Sequence, residues 1–164
     1  MHDIFPRHFD SVEALIYKAD GHYHLQVPTL YEYDSYANMV IDFIFDTGAY
    51  LAVISPATAT LLGFTDRFTI QAGIKLAGFS GECVADLKEI PGFIIGGKRL
   101  EGVKVAVPHV EIDMDILGLN VIEHFKYFID TECDKIHFAE NPKPDIPSQL
   151  LANNICAVAK NKSE

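Results

Sequence analysis

Phe43-Ile44-Phe45-Asp46-Thr47-Gly48-Ala49 runs an apolar, strand-forming stretch straight into one carboxylate and a turn. The residue types divide the tasks. Gly48 has no side chain to hold the backbone off, so amide groups can approach the Asp46 carboxylate and hydrogen-bond it. Thr47 brings a short hydroxyl able to lock the turn. The apolar approach lowers the local dielectric and makes a lone negative charge costly, the setting in which a carboxylate exchanges a proton. Asp-Thr-Gly is still three common residues, and alone it is a plain turn after a strand more often than a catalytic centre.

Other chemistry-bearing groups have weaker support. Glu111, Asp113 and Asp115 alternate before Ile116 and offer oxygen ligands of the kind calcium or magnesium takes. No glycine-bearing ligand loop accompanies them, so a solvated acidic connector is expected. His22 and His24 share a strand face, as zinc ligands do, but no further Cys or His cluster joins them. Gly96-Gly97-Lys98 lacks the rest of a phosphate-binding loop and reads as a hairpin turn. Cys83 reads as a small core residue, and Gly78-Phe79-Ser80-Gly81 lacks the pattern of a nucleophile elbow. Neither a metal nor a cofactor is expected.

The elements that must position Asp46 are mostly strands. His22 to Val27 alternates, and Met39 to Phe45 is rich in branched and aromatic residues. Leu51 to Ile54 reads as a further strand. Ser55-Pro56 then opens a short helix, with Ser as cap and Pro at the first helical position, and Gly63 stops it. Glycines punctuate residues 68 to 107 into hairpins. Gly118 to Phe125 suits a second short helix, and Tyr127–Ile129 and Lys135–Phe138 flank a polar turn in hairpin fashion. Upstream, Phe9, Val12, Leu15 and Ile16 have helical spacing, with Asp10 and Glu13 as a capping box, so a helix over about residues 11–19 is expected. Asn141 to Pro147 reads as a linker or surface arm.

Taken together, these segments resemble the retropepsin-like aspartic peptidases. The run from Ile44 to Phe64 is similar to that family's catalytic loop and following segment. Asp115-Ile116-Leu117-Gly118-Leu119-Asn120-Val121-Ile122 resembles its second marker, in which Ile116, Leu117 and Gly118 pack beside the loop and lead into a helix. Ala77-Gly78-Phe79-Ser80-Gly81 falls where the family carries its flap, and glycines suit a lid that must open. The resemblance spans about residues 24–139. It implies an all-β, acid-protease-like closed β-barrel with a flap hairpin and one or two short helices.

The same resemblance implies a half-site. Asp46 would be the catalytic carboxylate, supported by Thr47, Gly48 and Ala49, and would meet its twin across the two-fold axis of a homodimer. The pair would share a proton and activate a water to hydrolyse a peptide bond. Thr47 would reach to the partner's loop. Ala49 and Tyr50 would begin the substrate cleft, covered by Phe79 and Ser80 between Gly78 and Gly81. Phe128-Ile129-Asp130-Thr131 echoes the Asp46 sequence, but Glu132 stands where glycine is needed, so Asp130 is read as structural. Tyr50, where many relatives have a small polar residue or an acid, keeps open a catalytically silent peptide-binding or dimerisation module. A regulatory protein that trims only its own N-terminal segment is a further alternative.

Composition sets outer limits. The chain has 164 residues, 49% of them hydrophobic, enough for one domain with a real core. Its net charge of -10 argues against nucleic acid and weakens attraction to anionic lipid. Three scattered cysteines suggest no disulfide framework. With no signal-peptide pattern and no run of roughly 20 apolar residues, a cytoplasmic, membrane-free protein acting on peptide or protein substrates is expected. The expected division is an N-terminal helical extension (1–21), a protease-like domain (22–140) and a C-terminal arm (141–164).

Overall fold

The computed structural model describes residues 10–11, 17–19, 21–30, 38–78, 81–133 and 135–142. Branched and aromatic residues build strands nearly throughout. After β1 (Asp10–Ser11) and β2 (Tyr17–Ala19) come the long antiparallel partners β3 (His22–Leu30) and β4 (Asn38–Phe45). A short β5 (Ala52–Val53) leads into helix α1 (Pro56–Leu61) and a single 3-10 turn at Asp66–Phe68. Two hairpins follow, made by β6 (Thr69–Gly78), β7 (Gly81–Ile95) and β8 (Lys98–Pro108). The chain continues through β9 (Asp115–Leu117), helix α2 (Leu119–Ile122) and the hairpin of β10 (Phe125–Asp130) with β11 (Lys135–Glu140).

Six strands close a barrel in the order β3-β4-β9-β5-β8-β7, with Thr29 of β3 opposite Phe93 of β7 completing the ring. The expected all-β closed barrel is therefore the observed one. Alternate residues of a strand face the same way, and those facing inward supply the core: Leu25, Val27, Phe43, Phe93 and Val105 are all at most 1% exposed. Phe43 and Phe93 meet edge to face at 5.3 Å across it. Gly92 presses so closely on the Leu100 carbonyl that a β-carbon there would collide with backbone.

A second sheet, ordered β1-β11-β10, lies against the barrel. Phe125, Ile136 and Phe138 join the barrel's own buried cluster. Phe138 stacks edge to face with both Phe45 and Phe125. One buried volume thus serves both sheets.

Local expectations mostly hold. Ser55 caps α1, its hydroxyl oxygen accepting the Thr58 amide at 3.1 Å, Pro56 takes the first helical position, and Gly63 leaves the helix at φ 73°. The Gly96-Gly97 pair forms the β7–β8 turn, both residues at positive φ. The helix expected over about residues 11–19 is corrected. Its described ends, Asp10–Ser11 and Tyr17–Ala19, are strands, and residues 12–16 lie outside the described residues. Gly21, at φ 82°, turns the chain so that Ala19 faces His22 and Tyr17 faces His24, and this pairing overrides the helical spacing. Most of the C-terminal arm, from residue 143, is also outside the described residues.

Candidate active site

β4 and β9 run parallel, Phe45 opposite Leu117, so both strands end at the same place. Asp46 stands at that end. Its amide donates to the Leu117 carbonyl at 3.1 Å, which fixes the start of the turn from the neighbouring strand. Gly48 then donates its amide to Asp46 Oδ1 at 2.8 Å, and Ala49 donates to the Asp46 carbonyl at 3.3 Å. The carboxylate is held by its own turn, as the residue types suggested. Asp46 and Ala49 are half-buried, while Thr47, Gly48 and Tyr50 are exposed.

The turn is braced from the other side by the residues after β9. Leu119 donates to the Ala49 carbonyl at 2.8 Å and Asn120 to the Tyr50 carbonyl at 3.0 Å. Gly118 lies flat against Leu51 and Ala52. A β-carbon there would sit 2.5 Å from the Leu51 carbonyl carbon and 2.8 Å from the Ala52 nitrogen, so only glycine fits. Ile116 thus pairs with Ile44 and Val53, Leu117 holds the Asp46 amide and Gly118 lies on Leu51.

Two buried polar residues escaped the sequence reading. Asp115, expected with Glu111 and Asp113 in a solvated connector, is 8% exposed; only the other two are at the surface, wholly or in part. Its Oδ1 accepts the Ser55 amide at 2.6 Å and its Oδ2 accepts the Thr58 hydroxyl at 2.8 Å, tying β9 to the start of α1. Asn120 is 9% exposed; it accepts the Ala52 amide at 2.7 Å and donates to the Lys104 carbonyl at 2.7 Å. A polar Asn inside the apolar run Ile116–Ile122 was the available signal for one. For Asp115 nothing local distinguishes it from its exposed neighbours.

The β6–β7 hairpin turns at the expected flap, with Gly78 opposite Gly81; Phe79 and Ser80 lie outside the described residues. A small buried cluster of Leu51, Ile74, Ala85, Leu87 and Ala106 fastens this hairpin to the residue just beyond Tyr50. At its base Asp86 Oδ1 accepts the Gly73 amide at 3.0 Å and contacts His109 Nε2 at 2.9 Å. Burial pushes the Asp86 pKa up. The Gly73 amide, the hydrogen bond and charge of His109, and the Lys88 charge outweigh it, so the net shift is downward.

Asp130 belongs to a different turn. Its Oδ1 accepts the Glu132 amide at 3.0 Å and the Cys133 amide at 3.2 Å, closing the β10–β11 turn. The Cys133 amide is the main cause holding its carboxyl below the usual range, with partial desolvation opposing and the Glu132 amide, the Cys133 side chain and His137 assisting. Cys83, expected in the core, is half-buried on β7. Among the described residues no group of three or more His, Cys, Asp or Glu side chains gathers to hold a metal. No helix among them is long and apolar enough to cross a membrane.

A family model described as aspartyl protease matches residues 37–121, from the start of β4 through α2, and so spans both Asp46 and Gly118. The chain belongs to the aspartyl protease family. Within that family its fold is retropepsin-like: it is similar to the crystal structure of a retropepsin-like aspartic protease from Rickettsia conorii. There the TM-score is 0.58 and the identity 24%, over 75% of this chain and 86% of that one. It also has a likeness, at TM-score 0.49 and 17% identity over 66% of this chain and 92% of that one, to EIAV protease complexed with the inhibitor HBY-793. No curated protein matches the chain.

Proposed function

We propose that the chain is one half of an aspartic endopeptidase, in which two copies bring their Asp46 carboxylates together and hydrolyse peptide bonds with water. The observation that carries this reading is the Asp46 turn itself. Its carboxylate accepts the Gly48 amide, its backbone hangs on Leu117, and Gly118 packs on Leu51. That bracing holds a half-buried carboxylate at a fixed position at the mouth of a barrel. A plain surface turn would need none of it.

One carboxylate cannot serve as acid and base at once. Two of them a few ångströms apart cannot both ionise easily, so they hold one proton between them. The ionised partner takes a proton from a bound water as the water attacks the scissile carbonyl. The protonated partner gives its proton to the carbonyl oxygen. Two apparent pKa values then belong to the pair, and the rate falls on both sides of a pH optimum. In this reading Thr47, exposed at the tip, meets the second copy. In the same reading Tyr50 and the β6–β7 hairpin border an extended peptide, bound in part through strand-like backbone hydrogen bonds.

Cleavage of a mixed peptide library by wild type and Asp46→Asn, from acidic to neutral pH, tests the reading. The expected loss is about 10²–10⁴-fold in kcat with folding intact. Equal cleavage by both proteins, or none by either when both are folded, sinks it. The second outcome would favour a silent peptide-binding module. Tyr50, 52% exposed beside the turn, is the feature that speaks for that alternative.

A further inference from the structure

β6 and β7 pair regularly toward their turn, from Ile74 opposite Ala85 to Gly78 opposite Gly81. At the base of the hairpin the register slips twice. Ile70 is an extra residue between Thr69 and Gln71, and Ala72 and Gly73 together stand opposite Asp86. Such bulges interrupt the ladder, bend the strand and re-aim what lies beyond them. Gly73 sits in the second bulge at φ 68°. The Gln71 side-chain oxygen is buried beside it with no hydrogen-bond partner among the described residues, an arrangement that costs free energy. The bulged base therefore lacks the full ladder that would hold it by itself.

A side chain from outside the hairpin supplies the missing hold. Asp86 Oδ1 accepts the Gly73 amide at 3.0 Å and meets His109 Nε2 at 2.9 Å, so one oxygen joins the bulge to the residue after β8. His109 is itself anchored, its amide donating to the Val84 carbonyl at 2.8 Å. Its imidazole is half-exposed, open to protons from solvent. A neutral imidazole carries one N–H, and when that is on Nδ1 a lone pair faces the carboxylate. An imidazolium always donates, and to an opposite charge, which makes the bond about twice as strong. The Asp86 carboxyl, below its usual range despite burial, stays ionised while histidine changes charge between about pH 5 and 8. Other charges around the pair are Glu82 and Lys88 on β7, Lys75 on β6 opposite Val84, and Glu111 and Asp113 on the loop of His109 itself. Lys88 is held by the Thr65 carbonyl and the Thr69 hydroxyl. Among the described residues, Asp86 is the ion-pair partner of His109.

We propose that His109 is a proton-operated latch on the base of the β6–β7 hairpin: charged, it fastens the Gly73 bulge through Asp86, and neutral, it lets the bulge flex. The latch is fully fastened below the range in which histidine titrates and slackens as pH rises through it. Fastened, it pre-orders the hairpin that borders the peptide. That consequence rests on the function proposed above; the latch itself does not. Hydrogen exchange in the full chain, followed by NMR at the amides of residues 73–76 and corrected for intrinsic rates, reads the latch directly. Protection in the wild type should fall about three- to tenfold between about pH 5.5 and 8. His109→Gln, never charged, should hold the high-pH level throughout, and His109→Arg, always charged, the low-pH level.

A flat wild-type profile, or a step that persists in either variant, overturns the latch. The two variants depart in opposite directions, so either one decides if the other fails to fold. Amides of residues 43–45 on β4 should show no step; a matching step there assigns the effect to the whole fold and overturns the latch as well. In peptide cleavage, the wild-type KM should rise about threefold over the same pH range and stay flat in both variants, while kcat keeps one profile in all three proteins. A flat wild-type KM overturns the link to peptide binding. The outcomes separate from the peptidase reading. A chain with the exchange step that cleaves nothing keeps the latch and sinks the catalysis; an Asp46-dependent peptidase without the step does the reverse.

Discussion

Gly118 and Asp115 do different parts of one task. Gly118 lets backbone lie on backbone behind the Asp46 turn, and Asp115 ties the strand that brings it there to the start of α1. Gly118→Ala is expected to cost about 1–3 kcal/mol, since the new methyl must push Leu51 and Ala52 aside. Chemical denaturation measures this, and an unchanged midpoint would show that the contact is not tight. Asp115→Ala leaves a buried amide and a hydroxyl without acceptors and should cost about 2–4 kcal/mol. Asp115→Asn keeps one carbonyl oxygen for Ser55 and should cost less. If the two variants unfold at the same denaturant concentration, the hydrogen bonds are not what holds this corner.

The β6–β7 hairpin is fixed at its base and turns at glycines. Asp86 joins β6 to the end of β8 by accepting from Gly73 and contacting His109. Its folded pKa lies below the unfolded value, so its ionised form stabilises the fold above pH about 4, and that contribution is lost as pH falls through the folded value. Asp86→Asn should therefore lower Tm at neutral pH, and the difference from wild type should shrink as pH falls through the lowered folded value. A gap that stays constant with pH would assign the effect to shape rather than charge. Much of this level was readable in the sequence. Glycine pairs marked both hairpin turns, and Ser55-Pro56 and Gly63 bracketed α1, because caps and turns are chosen by residues a few positions apart. Asp115 and Asn120 were not, since their partners Ser55 and Ala52 are 60 and 68 residues away. The N-terminal strand β2 was misread for the same reason: its spacing suited a helix, and the pairing with β3 that decides otherwise is not visible locally.

At the scale of the molecule, a single chain carries one Asp46 turn and cannot cleave alone under the proposed mechanism. Specific activity is therefore expected to fall on dilution through the dimer dissociation constant, and an assay across protein concentrations reads this directly. Adding a threefold excess of Asp46→Asn chains should leave only about a quarter of wild-type chains in fully wild-type pairs, with activity falling to match if partners exchange freely. Activity that stays constant per wild-type chain in both experiments would mean that a monomer does the work.

The hydrogen bond from the Asp46 amide to the Leu117 carbonyl also sets an order in time. A ribosome releases residue 46 long before residue 117, so the nascent chain presents its aspartate as an ordinary flexible side chain. The turn can lock only after β9 has emerged and closed a loop of some seventy residues, a slow, non-local step of the kind that governs folding rates. A growing polypeptide therefore carries the reactive group for most of its synthesis without the frame that would arm it.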